Sequence, residues 1–431
     1  MFGRKRLNMK NAARNRQWNI RITNRKERRR ARAKTSFVSD LVDMSIKEMN
    51  EMAVIADLTG QFRNLLMDQL SRVMEMEEGS KPPKNFRELS KITIGICPGD
   101  GIGPIIMEQA ERLLRVVLRD EISSGRIVLK PIEGLTIENR LQKMEAVPED
   151  VLEEIRKCDV LLKGPTTTPK GGSLESANVT LRRELDLYAN VRPVSVPEEG
   201  IDWIFFRENT EGEYVLGSKG VEVPGKLSFD FKVTTEPGTR RIARKAFDYA
   251  RDNGKNKVAI VTKANIMKKT DGNFSRICHE VGLHYPGIEM EDWYIDIMTA
   301  NLVNPEIRSQ FQVFVLPNLY GDIITDEAAE IQGGVGTAGS ANIGDQYAMF
   351  EAIHGSAPRM IEDGLGDYAN PASLFKAVVM MLRHIGFTAK ANGLEKILEE
   401  CLEIEKSVVV TGFPEGATCR EFADYVIGKL D

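Results

Sequence analysis

Residues 92–118 read ITIGICPGDGIGPIIMEQAERLLRVVL, and the order of their parts decides the fold. Ile92–Cys97 is a short apolar run suited to a buried strand. Ile105–Leu118 repeats its apolar residues at helical spacing. Between them Pro98–Pro104 carries three glycines, which let the backbone turn tightly and approach a ligand closely. A plain strand-to-helix turn explains the glycines equally well. The turn is not GxGxxG, so the standard dinucleotide-binding fingerprint fails. Strand signals recur at Val160–Leu162, Lys257–Thr262 and Val313–Pro317, with helices expected at Leu174–Leu187, Pro371–Ile385 and Gly393–Ile404. This alternation predicts an α/β protein with a mostly parallel sheet, whose loops beyond the strand ends carry the chemistry.

Outward from this segment, charge divides the chain. Residues 1–34 hold fourteen basic side chains against one acid, Glu27, within a total net charge of −4. This polar, non-periodic stretch predicts a disordered extension over 1–50. Leu58, Phe62, Leu65, Leu66, Leu70 and Val73 recur at helical spacing, so 51–90 reads as an amphipathic helix and linker. No run of eighteen apolar residues occurs, which excludes an ordinary transmembrane helix, and the N-terminus never turns apolar as a secretory signal does. Five scattered cysteines without CxxC fit reduced thiols in a cytoplasmic protein. The four histidines have no tight metal spacing, which excludes a histidine-rich zinc site. The basic tail suits non-specific phosphate contact, but Phe2 and Trp18 are its only aromatics, so nucleic acid is not the expected partner of the body. A start downstream, at Met44, Met49 or Met52, accounts for the tail as well.

Several loops offer chemistry. Lys163–Pro169 (KGPTTTP) presents a cation and three hydroxyls, including Thr167 and Thr168, for an anionic ligand. Arg182, Arg192 and Arg207 follow, and converging guanidinium forks suit a polycarboxylate. Asp322 and Asp326 are one helical turn apart, so both carboxylates face one way, as hard-oxygen ligands of Mg²⁺ or Mn²⁺ do. Helix capping is the plainer role for the same pair. Lys263 after its strand is a candidate base, and Tyr214 a candidate proton donor.

Taken together, these motifs resemble the β-decarboxylating dehydrogenases, the family of isocitrate and 3-isopropylmalate dehydrogenases. The likeness runs from about Ile92 to about Ile427. It rests on Pro98–Pro104, Lys163–Pro169, Ser176–Arg192, Arg207–Tyr214, Lys263–Met267, Asn318–Asp326, Gly333–Gly344 and His354–Pro358. The resemblance implies an isopropylmalate-dehydrogenase-like fold of two domains, with a mostly parallel sheet and no standard Rossmann fold. Residues 91–187 and 333–431 would form the large, cofactor-side domain, and 188–332 the small domain with the dimer interface. It implies an NAD(P)-linked, Mg²⁺- or Mn²⁺-dependent oxidation of a 2-hydroxy acid with loss of its β-carboxylate. Arg182, Arg192 and Arg207 would hold the substrate, Tyr214 and Lys263 would move protons, and Asp296, Asp322 and Asp326 would bind the metal. Lys263 and Asp296 would come from the neighbouring copy of a homodimer with shared sites.

Ser176 and Asn178 stand where isocitrate enzymes place polar residues and isopropylmalate enzymes leucines, so isocitrate is the expected substrate. Homoisocitrate and tartrate are the other options. The cofactor would lie along Lys163, Thr167, Thr168, His354, Gly355, Ser356, Ala357, Arg359 and Asn370. Arg359 offers a partner for a 2′-phosphate, which favours NADP over NAD. Departures from the family pattern are Ile105 in place of an acid, a lengthened loop before Asn370, and 26 residues between Asp296 and Asp322.

Overall fold

A computed structural model describes residues 46–79, 82–169, 174–217, 219–334 and 338–430. The extension expected over 1–50 lies outside the described residues as far as 45. The described residues fall into two compact units, 46–70 with 221–228 and those from 71 to 220 with those from 229 to 430.

The first unit holds most of the helix Ile46–Glu78, which starts earlier than its periodicity suggested and ends, as expected, before Gly79. Leu58 and Leu65 are half-buried along it, whereas Ile55, Phe62, Leu66 and Leu70 are exposed. None of the described helices is long and apolar enough to cross a membrane.

The second unit is built on strands β1 (Ile92–Cys97), β2 (Ile127–Pro131), β3 (Val160–Lys163), β4 (Ala189–Val196) and β5 (Ile201–Glu208). The small hairpin β6 (Val221–Val223) and β7 (Leu227–Phe229) falls, but for Phe229, in the first unit, and the second continues with β8 (Lys257–Thr262), β9 (Glu289–Tyr294), β10 (Val313–Leu316), β11 (Gly339–Ile343) and β12 (Ala348–Ala352). Ten of these form one sheet in the order β2-β1-β3-β12-β11-β4-β5-β10-β8-β9. Both wings are parallel. The antiparallel pairs β12–β11, β11–β4 and β4–β5 join them in the middle. β3, β8 and β10 are buried almost throughout, because a strand covered on both faces by helices needs side chains that tolerate burial in every direction.

The opening segment does what its glycines suggested. Gly99 and Gly101 have φ of 75° and 58°, and a Cβ on them would lie 2.2 Å from the Pro165 carbonyl and 2.0 Å from that of Ser356. Only glycine brings three loops this close. The Asp100 carboxylate accepts from the N–H of Ile137 and of Thr167, each at 2.7 Å, and buried Arg140 donates to the Thr167 carbonyl at 2.8 Å. Asp100 is therefore committed to holding the loops together.

Candidate active site

Arg207, next to last in β5, pairs with Leu316 of β10, and the helix Asn318–Ile331 starts just beyond. This register sets the Arg207 guanidinium under the first turns of that helix. Asn318 Oδ1 accepts from Arg207 Nε and Nη2 at 2.9 and 2.6 Å, while Nη1 pairs with Asp322. Tyr214 donates to the second Asp322 oxygen at 2.7 Å. Arg192 on β4 donates to Thr325 Oγ1 and Asp326 Oδ1, at 2.6 and 2.8 Å. Asp322 and Asp326 lie one turn apart, as their spacing implied, each against one of the expected substrate arginines.

The charges agree with this. Burial first, then the charge of Arg182, lowers Arg207 to about 10, which still leaves it cationic. Burial works against ionisation of Asp322, but Arg207, Tyr214, Arg192 and Arg182 together hold it below the usual carboxylate range. Burial and the hydrogen bond to Asp322 push Tyr214 up to about 12.

Ser176 is the N-cap of the helix Ala177–Glu184, yet its side chain makes no capping bond. Asn178 accepts a long bond of 3.4 Å from Thr166, and Arg182 follows one turn later on the same face. Arg182 reaches Glu351 of β12 at 3.6 Å, and the fully buried Lys163 reaches the same carboxylate at 3.2 Å. Asn342 donates to it at 2.8 Å. Lys163 and Arg182, from opposite sides of the expected site, thus share one buried anion.

The loops expected to hold the cofactor meet each other. Thr167 Oγ1 and Ser356 Oγ lie 2.7 Å apart, joining the KGPTTTP and HGSAP loops. Burial lowers the His354 pKa, and among the described residues its buried Nε2 has no hydrogen-bond partner. Ala357 takes a left-handed φ of 43° at the head of the helix Pro358–Glu362, where Arg359 is exposed. Gly355 and Thr168 are exposed too, and Asn370, just before the helix Ala372–His384, accepts from the Ala372 N–H at 2.9 Å. Two departures from the family pattern meet here. A Cβ on Gly366, in the lengthened loop, would lie 2.8 Å from the Ile105 side chain.

Lys263 and Asp296 stand apart. Lys263 Nζ pairs with Asp296 at 2.6 Å, which lowers the Asp296 pKa. Among the described residues no three acidic, His or Cys side chains converge on one point, so Asp296 does not join Asp322 and Asp326 within the chain. Buried Asp271 accepts from the Lys263 N–H at 2.7 Å and pairs with Lys232 at 2.6 Å. Asp271, Asn318, Asn342 and Glu351 escaped sequence reasoning. A polar residue inside an apolar run, as Glu351 is, was the one available signal.

The family model for isocitrate/isopropylmalate dehydrogenase matches residues 93–426. The chain belongs to the isocitrate/isopropylmalate dehydrogenase family. It is 36% identical over 346 residues to isocitrate dehydrogenase [NAD] subunit 2, mitochondrial, of Schizosaccharomyces pombe, covering 78% of this chain and 87% of that one. It is 42% identical over 323 residues to isocitrate dehydrogenase [NADP] of Rickettsia prowazekii, covering 72% of this chain and 63% of that one. The crystal structure of isocitrate dehydrogenase from Methylococcus capsulatus superposes with a TM-score of 0.69 at 35% identity, over 79% of this chain and 99% of that one. As a member of this dehydrogenase family, the chain is an oxidoreductase with the family's fold.

Proposed function

We propose that this enzyme oxidises isocitrate and releases its β-carboxylate as CO₂, leaving 2-oxoglutarate, with NADP or NAD as hydride acceptor. The observation that carries the substrate is the start of the helix Ala177–Glu184. There the Ser176 hydroxyl is not spent on capping, and Asn178 and Arg182 share a face. A third carboxylate finds donors on this face, whereas the alkyl group of 3-isopropylmalate would leave them desolvated and unpaired. The relatives described above are named for isocitrate.

Arg192 and Arg207 take the remaining carboxylates through their N–H forks. Asp322 and Asp326 fit Mg²⁺ or Mn²⁺ by the chemistry of their donors, with Asp296 of a second copy as the third ligand. When bound, the ion supplies Lewis-acid polarisation of the substrate oxygen. Lys263 of the second copy accepts the hydroxyl proton as the hydride leaves the same carbon. Loss of CO₂ places the electron pair in an enolate, and Tyr214 returns a proton to its carbon. Lys163, Thr167, Thr168, the loop His354–Ala357, Arg359 and Asn370 hold the cofactor, with exposed Arg359 favouring NADP. Residues 91–187 and 333–431 serve the cofactor side, and 188–332 the dimer. The five free, buried cysteines suit a reducing compartment, which we take to be the cytoplasm.

A substrate screen tests this. Magnesium-dependent reduction of NAD(P) is expected with isocitrate and not with 3-isopropylmalate, and equal or better activity with isopropylmalate would overturn the proposal. Homoisocitrate and tartrate belong in the same screen.

A further inference from the structure

We infer that Arg72 is a positioning residue for the substrate-binding loop Arg207–Tyr214. This rests on the proposed roles of Arg207 and Tyr214. Arg72 lies near the end of the helix Ile46–Glu78, upstream of the residues that match the family model, and within the same compact unit as the loop. Its Nη1 is 3.2 Å from Glu211 Oε1, and its Nη2 is 3.4 Å from Thr210 Oγ1.

Glu211 is a carboxylate with little room to manoeuvre. It is 2% exposed, it accepts from the Thr235 N–H at 2.9 Å and from the Thr235 hydroxyl, and it fills the space where a Cβ on Gly238 would sit. A second buried carboxylate, Glu208, lies close by. Burial first, then the charge of Glu211, pushes Glu208 up to about 7. Arg241 is a second cation here: its Nη atoms pair with Asp186 at 2.7 and 2.8 Å, and its Nη2 also donates to Thr210 Oγ1 at 3.0 Å, so it supports Thr210 but makes no ion pair with Glu211 among the described residues. Among the described residues, Arg72 is the cation in direct ion-pair contact with Glu211. Losing it would leave a buried charge beside another acid, which is costly.

The same residue leads to the site. The Glu211 carbonyl accepts from Asn318 Nδ2 at 2.9 Å, and Asn318 Oδ1 in turn holds the Arg207 guanidinium. Arg72 thus fixes residue 211 through its side chain, and residue 211 fixes Arg207 through its main chain. Because the linkage runs to the group that binds carboxylate, its loss should weaken substrate capture more than turnover.

Arg72→Ala and Arg72→Lys in the full-length protein test this by isocitrate saturation kinetics and by hydrogen exchange of the segment 209–215. Arg72→Ala should raise the KM for isocitrate about fivefold while kcat changes less than about twofold. Exchange in 209–215 should accelerate, and Arg72→Lys should recover most of both. An unchanged KM with unchanged exchange would overturn the inference, as would a loss that lysine does not relieve. If the wild type fails to turn over isocitrate, the substrate assignment falls, and the exchange of 209–215 alone then decides the role of Arg72.

Discussion

Arg207 lies in β5 and Lys263 directly follows β8, the two strands that flank β10 in one sheet, yet they are held in opposite ways. The Arg207 side chain is fully buried, with Asn318 and Asp322 on its guanidinium and the Tyr214 ring 5.3 Å away. The Lys263 side chain is 25% exposed, and its ion-pair partner Asp296 faces solvent. The sequence around this second pair is apolar and uncovered: Ile266 is 66% exposed, and Met267 and Ile297 are exposed with it. Ile323, beside Asp322, is 60% exposed. These large apolar side chains left in water around catalytic candidates suit the surface that a second copy covers in our proposal. One half of the site is complete within the chain, and the other half belongs, on our proposal, to a second copy.

The largest expected effects test that division. Lys263→Met and Asp322→Asn should each lower kcat about a thousandfold. Mixing the two variants under conditions that exchange subunits should restore about a quarter of the wild-type rate. Half of the random dimers are mixed, and each mixed dimer holds one site with both groups intact. No recovery on mixing, with exchange demonstrated, would mean that each site is complete in one chain, and the contrast between the two halves would then have no functional meaning.

Much of the built half was legible in the sequence, for a physical reason. Parallel strands covered on both faces read as apolar runs, so β1, β3, β8 and β10 stood out; Lys163 ends β3, Lys263 directly follows β8, and Asp322 lies in the helix after β10. The antiparallel centre was not legible. β4 and β5 pair over eight residues around a short turn, and β11 and β12 pair with each other, with no signal beyond local composition. The supporting polar residues escaped because their partners are remote. Lys163 and Glu351 are 188 residues apart, and only the fold brings them to 3.2 Å. Asp271 likewise reads as an ordinary helix-start acid until the Lys263 N–H is found on it.

A smaller effect sharpens the substrate side of the built half. Replacing Ser176 and Asn178 together by leucine should lower kcat/KM for isocitrate about a hundredfold while leaving the KM for the nicotinamide cofactor unchanged. Similar losses for isocitrate and cofactor would show that the change unfolds the helix Ala177–Glu184 instead of removing carboxylate contacts.

The smallest effect concerns what folding alone has already neutralised. Arg207 is paired with Asp322 and Arg192 with Asp326, so in the free chain two of the three expected substrate arginines sit on expected metal ligands. A divalent ion arriving alone competes with cations already in place. A substrate arriving alone would have to pull the arginines from their aspartates and leave those carboxylates uncompensated in a half-buried site. Arriving together, substrate carboxylates take the arginines and the ion takes the aspartates, so each ligand removes the other's penalty. Binding of the two should therefore be cooperative, by the reciprocity that links any two ligands of one protein. In thermal melts, Mg²⁺ alone or isocitrate alone should raise Tm by less than about 2 °C, and the two together by clearly more than the sum. Chelation should return the melt to that of the free protein. Additive shifts would mean that the arginine–aspartate pairs persist in the complex, and that the buried half of the site is a scaffold, with its carboxylate-binding groups elsewhere.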